Sequence, residues 1–199
     1  MITEITIAIT TIISLYTLYK DQNLLDKLIL RPYRDSKEGN YYTLATSGFV
    51  HADLQHLIFN MITLYFFGQA VDNVLGATGF MGLYLASILV ANSVSYFRHK
   101  DDPNFGSLGA SGGTSGIVFA SILFFPYSKI FFFLIPVPIP GPLYALFYLA
   151  YSYYASKNSQ DGINHDAHFY GALTGLAVAI LARPESVERF LLYLAGIFL

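Results

Sequence analysis

The chain has no cysteine and no tryptophan, and only 12% of its residues are charged. Without cysteine there are no disulfides and no thiolate metal sites, and the redox compartment stays undetermined. The shortage of charge says more. Soluble domains carry roughly twice this fraction, so a solvent other than water has to account for it. A formal net charge of −2 also gives no electrostatic basis for capturing nucleic acid. The opening "MITEITIAITTIISLYTLYK" lacks a basic leader and a small-residue cleavage site, and carries Glu4 early. It therefore reads as a retained first span, not a secretory signal.

What is present is apolar and aromatic: 54% hydrophobic residues, with 17 Phe and 16 Tyr among 199 residues, enough for a single domain over 1–199. Windows able to cross a bilayer, or nearly so, recur at about 2–19, 54–71, 79–97, 111–125, 143–155 and 167–182. The expectation is an all-α membrane protein, a bundle of six transmembrane helices with no internal repeat. Residues 20–50 form an interfacial loop in which "NLLDKLIL" suits a surface-lying helix. "IPVPIPGP", with proline at every second position, must be an extended link. The tail 183–199 ends in "RFLLYLAGIFL" (189–199), which is too short to span and is placed in the interface.

The fourth window is unusual. About fifteen residues at ~1.5 Å rise cover ~22 Å of a hydrocarbon core ~30 Å thick. It opens with "GASGG", so Ser111 would lie below the membrane surface, at a helix start whose free N–H groups require a wet cavity. The second window places His56, Asn60 and Thr63 on one helical stripe. The sixth carries His168 near its start, above a small face of Gly171, Ala172, Gly175 and Ala179; Gly112, Ser115, Gly116 and Ala120 offer a matching face on the fourth. Two such faces predict contact between the fourth and sixth spans, with Ser111 beside His168.

A serine hydroxyl becomes a nucleophile when a neutral imidazole takes its proton, and a helix N-terminus behind it supplies donors for an oxyanion. Plainer roles exist for each residue. The glycines serve close packing equally well, and a lone intramembrane histidine often only hydrogen-bonds a neighbouring helix. His51, His99 and His165 sit at span ends or in loops, where solvated or capping roles are expected. Asp166 diverges from His168 on a helix, which argues against a triad. The soluble G-x-S-x-G elbow needs a preceding strand, and "DDPNFGSL" is not one.

Taken together, "HADLQHLIFN", "GASGG" and "AHFYGALTG" resemble, in order and on the right spans, the three motifs of the rhomboid intramembrane serine proteases. The resemblance runs from about Tyr41 to Gly175. It implies a rhomboid-type bundle and a Ser–His dyad with Ser111 as nucleophile and His168 as base. His56, Asn60 and the Ser111 backbone N–H would bind the oxyanion, with no metal and no cofactor. It also implies single-span membrane proteins as substrates, cut in or near their transmembrane segments, and a fifth span that lines a lateral gate. The chain departs from the family at Ser115, aromatic in some members, so a ring stacked on His168 is expected to be missing. It lacks the Trp-Arg pair often seen in the first loop. The expected location is the inner membrane of a bacterium, as a multi-pass protein with the lipid bilayer as partner. Against the family's cytoplasmic termini, Lys129, Arg183 and Arg189 would be the only Lys or Arg inside. The competing readings are a catalytically silent relative that binds client transmembrane helices, and a channel or transporter.

Overall fold

A computed structural model describes residues 2–132 and 135–197; the last two residues of the expected tail lie outside them. The described chain begins with α1 (Ile2–Tyr19). Three short helices follow in the first loop: α2 (Gln22–Leu28), α3 (Pro32–Glu38) and α4 (Thr43–Thr46). Then come α5 (Leu54–His99), α6 (Ser111–Phe124), the strands β1 (Lys129–Phe132) and β2 (Ile135–Pro140), and helices α7 (Gly141–Asn158), α8 (His165–Ala182) and α9 (Glu185–Ile197).

Helix α1 is built inside out by the standards of a soluble protein. Its buried residues are Thr3, Thr6, Thr10, Ser14 and Thr17, while Ile5, Ile9, Ile12 and Tyr16 are exposed. Small hydroxylated residues let helices approach closely, and branched apolar ones face outward, which suits a hydrocarbon solvent and not water. By length and apolarity, two helices among the described residues could cross a membrane, Ile2–Tyr19 and Leu54–His99. The second and third windows are continuous in α5 and broken only at Gly76, where φ is 68° and ψ 175°. A side chain is disfavoured at that φ, so glycine supplies the kink. The count of six spans is therefore not established by these criteria. Helix α6 is shorter, and the polar first turn of α8 dilutes its apolar character.

The bundle is not purely α-helical. Lys129 pairs with Pro140 and Ile130 with Ile139 in an antiparallel hairpin. The alternating prolines do force an extended chain, but it is a paired strand and not a free link. Proline is tolerated in a two-stranded ribbon because its missing N–H can point away from the partner.

Helix α6 is the central rod, buried from Gly112 to Phe124, and this explains how it can be short: protein, not lipid, surrounds its ends. It meets α8 backbone to backbone. A methyl group at Gly171 would collide with the Gly112 carbonyl, and one at Gly175 with the Gly116 carbonyl. Gly82 of α5, by contrast, has open space around it. Gly171→Ala should therefore destabilise the bundle by ~1–3 kcal/mol through overpacking. Gly82→Ala should be neutral or gain up to ~1 kcal/mol from helix propensity. Thermal unfolding of both variants in detergent checks this, and equal melting temperatures would contradict the backbone contact.

Candidate active site

The contact of α6 with α8 brings the start of each helix to one cavity of about 590 Å³. Ser111, His168, His56, Asn60 and Thr114 all line it, together with Tyr144 and Tyr148 of α7. Among the described residues, Ser111 Oγ and the His168 ring make no hydrogen bond to each other; they share the cavity wall. Thr114 N–H is bonded back to Ala110 O. Helix geometry leaves the N–H groups of Ser111, Gly112 and Gly113 without an intrahelical acceptor, so the positive end of α6 faces the cavity.

The segment entering α6 is held from several sides. Leu30 and Ser107 exchange backbone hydrogen bonds at 3.1 and 2.9 Å, and Gly109 N–H donates to Ser47 O at 2.9 Å. Gly109 has φ +118°, and the His56 imidazole occupies the space where its Cβ would lie. Only glycine allows both the turn and the ring. On α5, Asp53 caps the helix by accepting from His56 N–H at 2.7 Å. One turn on, Asn60 Nδ2 donates to His56 O at 2.9 Å, and Asn60 Oδ1 accepts from Thr114 Oγ1 at 3.1 Å. Asn60 thus ties α5 to α6 and keeps a second amide proton.

Two residues outside the expected site turn out to position it. His51 is fully buried, not solvated. Ala110 N–H donates to its Nε2 at 3.2 Å, which leaves the proton on Nδ1, 2.8 Å from Ser14 Oγ; Ser14 Oγ in turn donates to Phe49 O at 3.0 Å. This relay runs from α1 to the residue before Ser111. Asn164 caps α8 by accepting from Ala167 N–H at 3.0 Å and donates to Ser95 and Ser107. It joins the helix that carries His168 to the segment that leads to Ser111. The one sequence signal for Asn164 is its place just before "HDAH", where an N-cap belongs.

The remaining titratable groups have other partners. Asp166 pairs with Arg98, and Arg98 also donates to the Tyr170 hydroxyl at 2.9 Å. His165 is buried, contrary to the solvated role expected of it, and its Nε2 lies 3.0 Å from Asp161. His99 stacks on Phe105 with ring centroids 3.8 Å apart. The expectation that His168 lacks a neighbouring ring is also corrected. Tyr148 reaches across from α7, its ring 6.3 Å from that of His168 and inclined by 25°. Ser115 leaves the space, and its Oγ lies 2.7 Å from the Tyr148 hydroxyl.

The family profile of the rhomboid domain matches residues 38–185. The chain belongs to the rhomboid family. RHOMBOID-like protein 12, mitochondrial, of Arabidopsis thaliana is 32% identical over 164 residues, covering 73% of this chain and 46% of that protein. Rhomboid protein 1, mitochondrial, of Saccharomyces cerevisiae is 29% identical over 173 residues, covering 83% and 48%. The human presenilin-associated rhomboid-like protein, mitochondrial, is 33% identical over 92 residues, 46% of this chain and 24% of that one. This rhomboid chain spans about half the length of the plant and yeast relatives. The expectation of a bacterial inner membrane is overturned, because these relatives are mitochondrial by name. Span composition reports the solvent around a helix, and a bilayer presents the same hydrocarbon in either place.

Burial pushes the His51 imidazole down to about 3, with the His56 ring adding to the effect. Its folded pKa lies below the unfolded value of about 6.5, so the unfolded state takes up the proton first. Stability should therefore fall as pH drops from about 6.5 towards 3. In His51→Gln the melting temperature should be lower at pH 7 and its decline on acidification shallower. An unchanged pH slope in that variant would exclude His51 as a buried neutral tie.

Proposed function

We propose that this rhomboid is an intramembrane serine endopeptidase acting on transmembrane segments of other membrane proteins, in a mitochondrial membrane like its plant and yeast relatives. The observation that carries this reading is the shared cavity: Ser111, His168, His56 and Asn60 line one recess at the start of the central helix. The outward apolar face of α1 supports residence in lipid. The cavity supplies what lipid withholds, a place for water.

In the proposed reaction His168 takes the Ser111 hydroxyl proton as Oγ attacks the scissile carbonyl carbon. The carbonyl oxygen becomes an oxyanion facing the Ser111 N–H, the His56 imidazole and the free amide proton of Asn60. Collapse expels the amine, which receives the proton from His168, and leaves an acyl ester on Ser111. Water then attacks the ester as His168 accepts a proton from it, and His168 returns that proton to Ser111 Oγ as the carboxylic acid departs. Asp166 takes no part, since Arg98 holds it.

The test is cleavage of single-span reporters by purified protein, with cut sites located by mass spectrometry. Ser111→Ala and His168→Ala should each abolish cleavage. Asn60→Ala or His56→Ala should reduce the rate ~100- to 1000-fold if each supplies an oxyanion donor. Capture of reporters without cleavage by the unaltered chain would support instead a silent relative that binds client helices. Cleavage that survives Ser111→Ala would end the proposal.

A further inference from the structure

Among the described residues the His168 base has no acidic partner to hold it, because the nearby Asp166 carboxylate is taken by Arg98. An imidazole turns about a soft, roughly two-fold torsion, so packing must set its orientation. Two rings among the described residues lie beside it. His165 lies edge-on at 5.8 Å and 81°, from the preceding turn of α8 itself. Tyr148 presents its face at 6.3 Å and 25°, and it comes from a different helix. That separation falls within the range in which aromatic pairs attract.

Tyr148 is itself fixed at its far end. Its hydroxyl lies 2.7 Å from Ser115 Oγ, and its ring packs 5.4 Å from that of Phe119. Ser115 stands four residues after Ser111, on the same face of α6. The chain of contact therefore runs from the helix of the nucleophile, through the Tyr148 hydroxyl and ring, to the base. Helix α7, which carries Tyr148, packs Tyr144, Ala145 and Leu149 against Val118, Phe119 and Ile122 but buries few residues fully. Only Gly141, Pro142, Ser152 and Ala155 are buried in it, while Leu146, Phe147, Tyr151 and Tyr154 point outward.

We propose that Tyr148, anchored by Ser115, is the positioning residue for the His168 base, so that the base is aligned only while α7 lies against α6. The inference rests on the serine protease reading above and deepens it. Tyr148 contributes no proton and no oxyanion donor. It limits rotation of the imidazole, and the Ser115 hydrogen bond limits the tilt of the tyrosine ring.

The test is steady-state cleavage of a single-span reporter carrying small residues at the cut and a nearby Gly-Pro break, by the full chain in detergent. Tyr148→Phe and Ser115→Ala each remove one side of the hydrogen bond, and each should lower kcat about three- to tenfold with KM within about twofold of the starting value. The double variant should be no slower than the worse single one, since both remove the same interaction. Tyr148→Leu should be slower still, and comparison with Tyr148→Phe shows how much the ring alone restores. Melting temperatures identify any variant that fails to fold, and the two conservative variants carry the test if the leucine one does. Independent, multiplying losses in kcat, losses confined to KM, or full activity in Tyr148→Leu would overturn the positioning role while leaving the protease reading intact. A starting chain that neither cleaves the reporter nor reacts with a serine-directed phosphonate overturns both.

Discussion

The structure depends on two helices touching without side chains between them. Gly112 and Gly116 of α6 lie against Gly171 and Gly175 of α8, so close that a single methyl group on α8 would strike a carbonyl on α6. In hydrocarbon there is no hydrophobic drive to press helices together, and close backbone approach with its dispersion contacts takes over that role. The contact also sets the relative height of the two helix starts. Ser111 is the first residue of α6 and His168 lies in the first turn of α8; holding the two starts level places both side chains on one cavity.

Around that contact lies a layer of hydrogen bonds between distant parts of the chain. His51 connects α1 to Ala110, Asn164 connects α8 to Ser95 and Ser107, and Asn60 connects α5 to Thr114. Each is a polar side chain bridging elements where lipid offers no competing partner. The first loop is ordered in a similar way, with the fully buried Asp35 accepting from Arg31 N–H and Thr43 Oγ1 at 2.8 Å each. The α5, α6 and α8 side is closely packed, whereas α7 has few fully buried residues. A cavity with Ser111 on its densely packed wall and the Tyr148 ring beside His168 on the other can widen without dismantling the start of α6.

Much of this was legible in the residues. Small faces at helical spacing marked the contact of α6 with α8, and polar residues in apolar windows marked the cavity lining. The shortness of the fourth window matches α6, which has 14 residues and starts at Ser111. What could not be read depended on partners distant in sequence. His51 looked like a solvated loop residue because nothing local reveals that Ser14, 37 positions away, and Ala110 would close around it. The small Ser115 suggested a missing ring, since one position cannot show that a tyrosine from another helix fills the gap. The proline-rich link was correctly extended, but strand pairing with Lys129–Phe132 follows from register and not from composition. The organelle was beyond reach for a different reason: hydrophobicity records the kind of solvent, which bacterial and mitochondrial membranes share.

The most direct measurement is the location of a covalent phosphonate adduct on the purified chain by peptide mass spectrometry. A hydroxyl activated at a wet, recessed helix start predicts one adduct, on the peptide bearing Ser111, and its loss when His168 is replaced by Ala. No adduct, an adduct on another serine, or undiminished labelling without the imidazole would contradict it.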